Sequence, residues 1–77
     1  MDPMHPLHEL RVSLDLTQKE FADELAVSQS FISQVETGDG RVGRDLALAI
    51  KDRWPLEMTR LGITVEDLLR GSRNRAA

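Results

Sequence analysis

The chain has 77 residues, 40% of them hydrophobic and only three aromatic, enough for one small domain near the lower size limit for an independent core. Cysteine is absent, which excludes a disulfide framework and a thiolate metal site. No apolar run is long enough to span a bilayer and no signal-peptide pattern opens the chain, so a soluble cytoplasmic protein is expected.

A formal charge of −3 argues mildly against a nucleic-acid partner, because neutralising phosphates takes Lys and Arg. Its distribution weakens that objection. Residues 1–27 carry six acids against two bases, residues 28–53 four of each, and residues 54–77 three acids against four bases. A ligand meets the local field, which the net value does not report.

In chain order, residues 1–6 read as a flexible lead-in broken by two prolines. His5 and His8 are three apart, a spacing that invites a metal ion. No third ligand is near in sequence, and a solvated tail and first turn is the better reading. Pro6 suits the first turn of a helix, where its missing N–H leaves no bond unmade. Leu7, Leu10 and Leu14 then recur at i, i+3 and i+7 and form one buried face, with Arg11 beside it.

Leu16 to Gly38 reads as two short helices joined by a tight turn. Thr17 can N-cap the first, about Gln18 to Leu25, and Glu20 completes a capping box. Phe21, Ala22 and Leu25 give that helix one inward stripe, while Lys19, Glu20, Asp23 and Glu24 form its outer side. Asp23 and Glu24 are adjacent and point about 100° apart, so they are a solvated face and not a catalytic pair. Ser28 caps the second helix, with Val27, Ile32 and Val35 inward and Gly38 just past its end. Its outward residues are Gln29, Ser30, Ser33 and Gln34, uncharged hydrogen-bonding side chains of the kind that read base edges in a major groove. Phe31 can contact a thymine methyl or pack across the following loop, and packing is preferred because a large exposed aromatic is unfavourable.

Residues 37–44 form a Gly-rich connection. No Gly-Lys-Ser/Thr follows and no strand precedes it, which excludes a nucleotide-phosphate loop. Arg41 and Arg44 make it locally positive beside the second helix. A fourth helix is expected over Arg44 to Arg53, with Leu46, Ala49, Ile50 and Trp54 inward, broken at Trp54-Pro55. Pro55 to Leu61 forms a further turn or two with Met58 and Leu61 inward, ended by Gly62. Thr64 and Asp67 provide a capping box for a last helix, Val65 to Arg70, with Ile63, Leu68 and Leu69 apolar. Gly71 stops it. Residues 71–77 are a basic tail expected to be disordered, leaving residues 7–70 as the domain.

The ordered set Leu16-Thr17-Gln18, Phe21-Ala22, Leu25, Val27-Ser28-Gln29-Ser30, Ile32-Ser33 and Glu36 followed by Gly38 resembles the Cro/repressor-type (XRE) helix-turn-helix family of phage and bacterial regulators. Weaker resemblance covers roughly residues 7 to 70. It implies a lambda-repressor-like fold and three site assignments. Gln18 would touch a DNA phosphate, reinforced by backbone N–H groups at the same helix end. Arg11 would pair with Glu36, the alternative being an exposed Arg on a solvated face. The loop carrying Arg41 would run along the DNA backbone, its Arg within reach of the minor groove. The family carries Gly in the turn where this chain has Ala26, a position that tends toward left-handed backbone; Ala there costs on the order of 1 kcal/mol.

The expectation is therefore an all-α domain of five or six short helices that binds duplex DNA sequence-specifically as a transcriptional repressor, a dimer on a palindromic operator. Gln29, Ser30, Ser33 and Gln34 would read bases, and Gln18, Lys19, Ser28, Arg41 and Arg44 would position the DNA backbone. Trp54, Leu56, Leu61 and Leu69 cannot all face one small core and are assigned to the dimer contact. No cofactor, metal or enzymatic activity is expected, since no nucleophile–base constellation or ligand cluster is present. The alternatives are an antitoxin that binds a toxin protein and represses its own operon, and a helix-turn-helix used only for protein interaction.

Overall fold

The structure, a computed structural model, describes residues 5–71. Among these residues it is all-helical: α1 (Pro6–Ser13), α2 (Gln18–Leu25), α3 (Gln29–Thr37), α4 (Arg44–Arg53), α5 (Pro55–Leu61) and α6 (Val65–Arg70). The starts follow local chemistry. Thr17 and Thr64 each close a reciprocal capping box, with Glu20 and Asp67 respectively, and the Ser28 hydroxyl accepts the Phe31 N–H at 3.0 Å. Pro55 opens α5 with its φ already helical.

Four of the helix ends share one device. At Asp15, Ala26, Gly38 and Gly62 the backbone turns left-handed, and the next residue's N–H reaches back to a carbonyl five positions earlier: Leu16 to Arg11, Val27 to Ala22, Asp39 to Gln34 and Ile63 to Met58. Two of the four are not glycine. Ala26 sits at φ 59°, ψ 39°, so the left-handed turn expected there is kept with a Cβ in place.

Leu7, Leu10, Phe21, Ile32, Val35, Ile50 and Leu68 are fully buried and draw all the helices except α5, which adds Met58, into one core. α2 packs chiefly on α3, and α4 on α6. Trp54, at the α4–α5 corner, stacks on Phe21 with ring centroids 5.2 Å apart, while the Arg53 guanidinium lies over the Trp54 ring, 5.7 Å from its centroid, and pairs with Glu24. Phe31 is partly buried and packs against the core.

Two expectations need correction. In α4 the inward residues are Ala47 and Ile50, with Leu46 partly buried; Ala49 is exposed. The run Leu46-Ala47-Leu48-Ala49-Ile50 is apolar throughout, so its composition carries no phase, and packing on α6 sets it. His5 is not part of a solvated tail. It is buried, and its Nδ1 accepts the Leu7 N–H at 3.0 Å as the N-cap of α1. The lead-in residues 1–4 and the tail residues 72–77 lie outside the described residues.

Candidate nucleic-acid interface

The outer face of α3 is polar. Gln29, Ser30 and Gln34 are exposed and Ser33 is half-buried, and none of these four side chains hydrogen-bonds within the described residues. Side chains whose donors and acceptors are unspent can be offered to a ligand. Ser28 is exposed at the N-cap, with its hydroxyl already committed to Phe31.

The one charged residue of α3 is turned inward. Glu36 has a side chain only 5% exposed, and four contacts satisfy it. Arg11 reaches it with Nε at 2.7 Å and Nη2 at 3.2 Å, the His8 Nδ1 lies 2.8 Å from Oε1, and Gln18 Nε2 donates at 3.1 Å. Arg11 also donates Nη1 to the Leu16 carbonyl at 2.8 Å, clamping the turn between α1 and α2. Burial pushes the Glu36 carboxyl up, but hydrogen bonds from Arg11, His8 and Gln18, with the Arg11 charge, outweigh it and hold the pKa below the ordinary carboxylate value. One acid thus ties α1, α2 and α3 together and is removed from the face that a polyanion would meet.

The Arg11–Glu36 contact is present, with Arg11 14% exposed, so the solvated-Arg alternative is set aside. His8 was not anticipated as a member of this network; no local pattern links residues 28 apart in sequence. With His8 on Glu36 and His5 capping α1, each histidine Nδ1 is engaged inside the fold. Gln18 is partly buried and gives one amide hydrogen to Glu36, leaving a second on Nε2 for an outside acceptor.

Around α3 lie the remaining candidates. Lys19 is exposed and pairs with Asp23 at 3.2 Å, an i,i+4 surface contact that holds it weakly. Arg41 and Arg44 are exposed, with no ion pair among the described residues. Arg44 is the first residue of α4, where a cation opposes the helix dipole, so its place there is not explained by stability. The loop carrying Arg41 is fixed to α3: Asp39 and Gly40 both donate backbone N–H groups to the Gln34 carbonyl, at 2.8 and 2.9 Å. A Cβ on Gly40 would lie 3.2 Å from both Val35 N and Val35 Cγ2, so glycine permits this approach. Val42 anchors the far side of the loop in the core.

The four residues assigned to a dimer contact do not form one exposed set. Trp54, Leu61 and Leu69 are partly buried against the core, whereas Leu56 is 79% exposed. No group of three or more potential metal-ligating side chains occurs among the described residues. None of the helices is long and apolar enough to cross a membrane among the described residues.

Two capped helices, a left-handed turn at Ala26 and a polar outer face on the second helix define a helix-turn-helix. The helix-turn-helix family model matches residues 7–50, and the chain belongs to that family, of the XRE type, a family of DNA-binding regulatory domains. A curated relative, the propionyl-CoA carboxylase regulator of Cereibacter sphaeroides, is 38% identical over 55 residues, which is 71% of this chain and 12% of that protein. The chain therefore spans a small fraction of the relative's length. No solved structure matches.

Proposed function

We propose that the protein is a sequence-specific transcriptional repressor that binds duplex DNA as a dimer on a palindromic operator, placing α3 of each copy in the major groove. The observation that carries the reading is the α3 face. Gln29, Ser30, Ser33 and Gln34 are uncharged and unbonded, while the only acid of the helix is sequestered by Arg11, His8 and Gln18. Gln29, in the first turn, is suited to a bidentate contact with adenine. Gln18, Lys19, Ser28, Arg41 and Arg44 would hold the phosphates and set the register. Likeness to a protein named as a regulator supports a role in gene control.

The test is binding to the DNA upstream of the protein's own gene, titrated against salt beside a scrambled duplex. Gln29→Ala should cost roughly 1–3 kcal/mol on the specific duplex and little on the scrambled one. Arg44→Ala should weaken both and flatten the salt slope by about one unit. If Gln29→Ala leaves specific affinity unchanged, the base-reading assignment is wrong.

A further inference from the structure

A cavity of about 220 Å³ lies between the loop that follows α3 and the C-terminal end of α6. Two arginines line it, Arg41 from the loop and Arg70 from the helix, and among the described residues no acid does. Arg41 has no ion pair among the described residues. Arg70 gives one Nη2 hydrogen bond to Asp67 at 2.7 Å and keeps other N–H groups in hand.

The third polar wall is His5, only 7% exposed. Its Nδ1 accepts the Leu7 N–H, so the ring is neutral and its proton sits on Nε2. That N–H has no partner among the described residues, and its edge of the ring faces Gly71, another wall of the cavity. A Cβ on Gly71 would stand 3.4 Å from Nε2, and glycine leaves the nitrogen uncovered. A donor so largely enclosed gains from an acceptor that comes to it.

The rest of the lining is apolar, chiefly Val42, Leu68 and Leu69. Donors of one polarity beside an apolar wall match a small amphipathic anion, its oxyanion head on Arg41, Arg70 and His5. The volume falls below the roughly 300 Å³ at which drug-sized ligands begin, which suits a carboxylate of a few carbons. A DNA phosphate shares the oxyanion chemistry but has no use for the apolar wall.

We propose that this cavity binds a short-chain carboxylate and that its occupancy opposes operator binding by drawing Arg41 away from the DNA phosphates. The coupling rests on the operator reading; the site does not. Because the loop is bonded to the Gln34 carbonyl, a ligand on Arg41 also touches the piece that carries the reading helix.

Amide NMR of the full chain tests the site, with acetate, butyrate and inorganic phosphate titrated at constant ionic strength. Butyrate should shift Gly38, Gly40 and Gly71 saturably and bind about tenfold more tightly than acetate, as two further buried methylenes imply. His5→Asn keeps the N-cap acceptor and loses the Nε2 donor; it and Arg41→Ala should each weaken butyrate by about tenfold or more. Shifts that do not saturate, or saturable binding indifferent to both variants, overturn the proposal. So does phosphate binding as tightly as butyrate, which would mark a seat for a bare oxyanion such as a DNA phosphate. In the second arm, saturating butyrate should lower wild-type affinity for the upstream duplex by about tenfold and leave that of His5→Asn unchanged. Butyrate bound in the cavity with duplex affinity unaltered overturns the coupling. A chain that binds butyrate but no duplex defeats the operator reading and leaves the site standing.

Discussion

Between Pro6 and Thr37, buried charge joins the helices: Arg11 and Glu36 meet almost out of solvent, and His8 and Gln18 complete their hydrogen bonding. Between Arg44 and Arg70 charge does not join distant helices in this way: Arg53 with Glu24 and Arg60 with Glu57 pair at the surface, the buried Asp67 pairs with Arg70 inside its own helix, and Leu48 and Leu56 stand in water. The difference teaches where precision is needed. A buried polar network defines one arrangement of its partners, because any other leaves a charge unpaired in low dielectric. Surface pairs and open apolar side chains fix little within the chain and leave a face able to meet something outside it.

The comparison is broken most severely at Arg11. Arg11→Met strands the Glu36 carboxylate and should destabilise the fold by up to about 3–5 kcal/mol, read as a lowered urea midpoint. Arg11→Met with Glu36→Leu should unfold at a higher urea concentration than either single variant, because the pair leaves together. Strictly additive single effects would show that the two residues do not act on each other. No substitution of Arg60 or Glu57, as a surface pair, should approach this size.

Acid separates the two halves next. His5 is held below its ordinary 6.5 by burial, which the Glu36 charge opposes only in part. The folded state thus prefers neutral His5, and this stability, present above pH 6.5, is lost as pH falls through the folded value. Glu36 is held below its ordinary 4.5, since its hydrogen bonds and the Arg11 charge outweigh burial, so its share is present above pH 4.5 and lost at still lower pH. Urea midpoints measured against pH should therefore decline in two stages. His5→Asn, which keeps an N-cap acceptor and cannot titrate, should remove the upper stage alone. An unchanged pH profile in that variant would rule His5 out as its source.

The smallest effect sharpens the comparison at the turn. Ala26→Gly relieves a left-handed Cβ but adds freedom to the unfolded chain, and a net gain of about 0.5–1 kcal/mol is expected. A lower melting temperature in Ala26→Gly would mean that the methyl group is packed to advantage.

Capping was the part most legible from sequence, since Thr17 with Glu20, Ser28, and Thr64 with Asp67 act within three residues of chain. The polar face of α3 was legible for the same reason: a fixed period separates it from Ile32 and Val35. What stayed hidden depends on distant partners. The burial of His5 comes from packing near Gly71 at the other end of the chain, and His8 joins Glu36 across two helices. Trp54 is placed by its stack on Phe21, a residue of another helix that no local pattern links to it. The phase of α4 was unreadable because five successive apolar residues match any face.

The contact of Gly40 with Val35 has a thermodynamic consequence. Because the backbone of the loop lies directly on α3 and two of its N–H groups share the Gln34 carbonyl, Arg41 and Gln34 belong to one rigid piece. Fixing a backbone residue takes roughly 1–2 kcal/mol of conformational entropy, and here folding has already done it for the stretch that carries Arg41. A ligand contacting Arg41, as proposed for DNA, would meet a preorganised loop, with only the long side chains left to order.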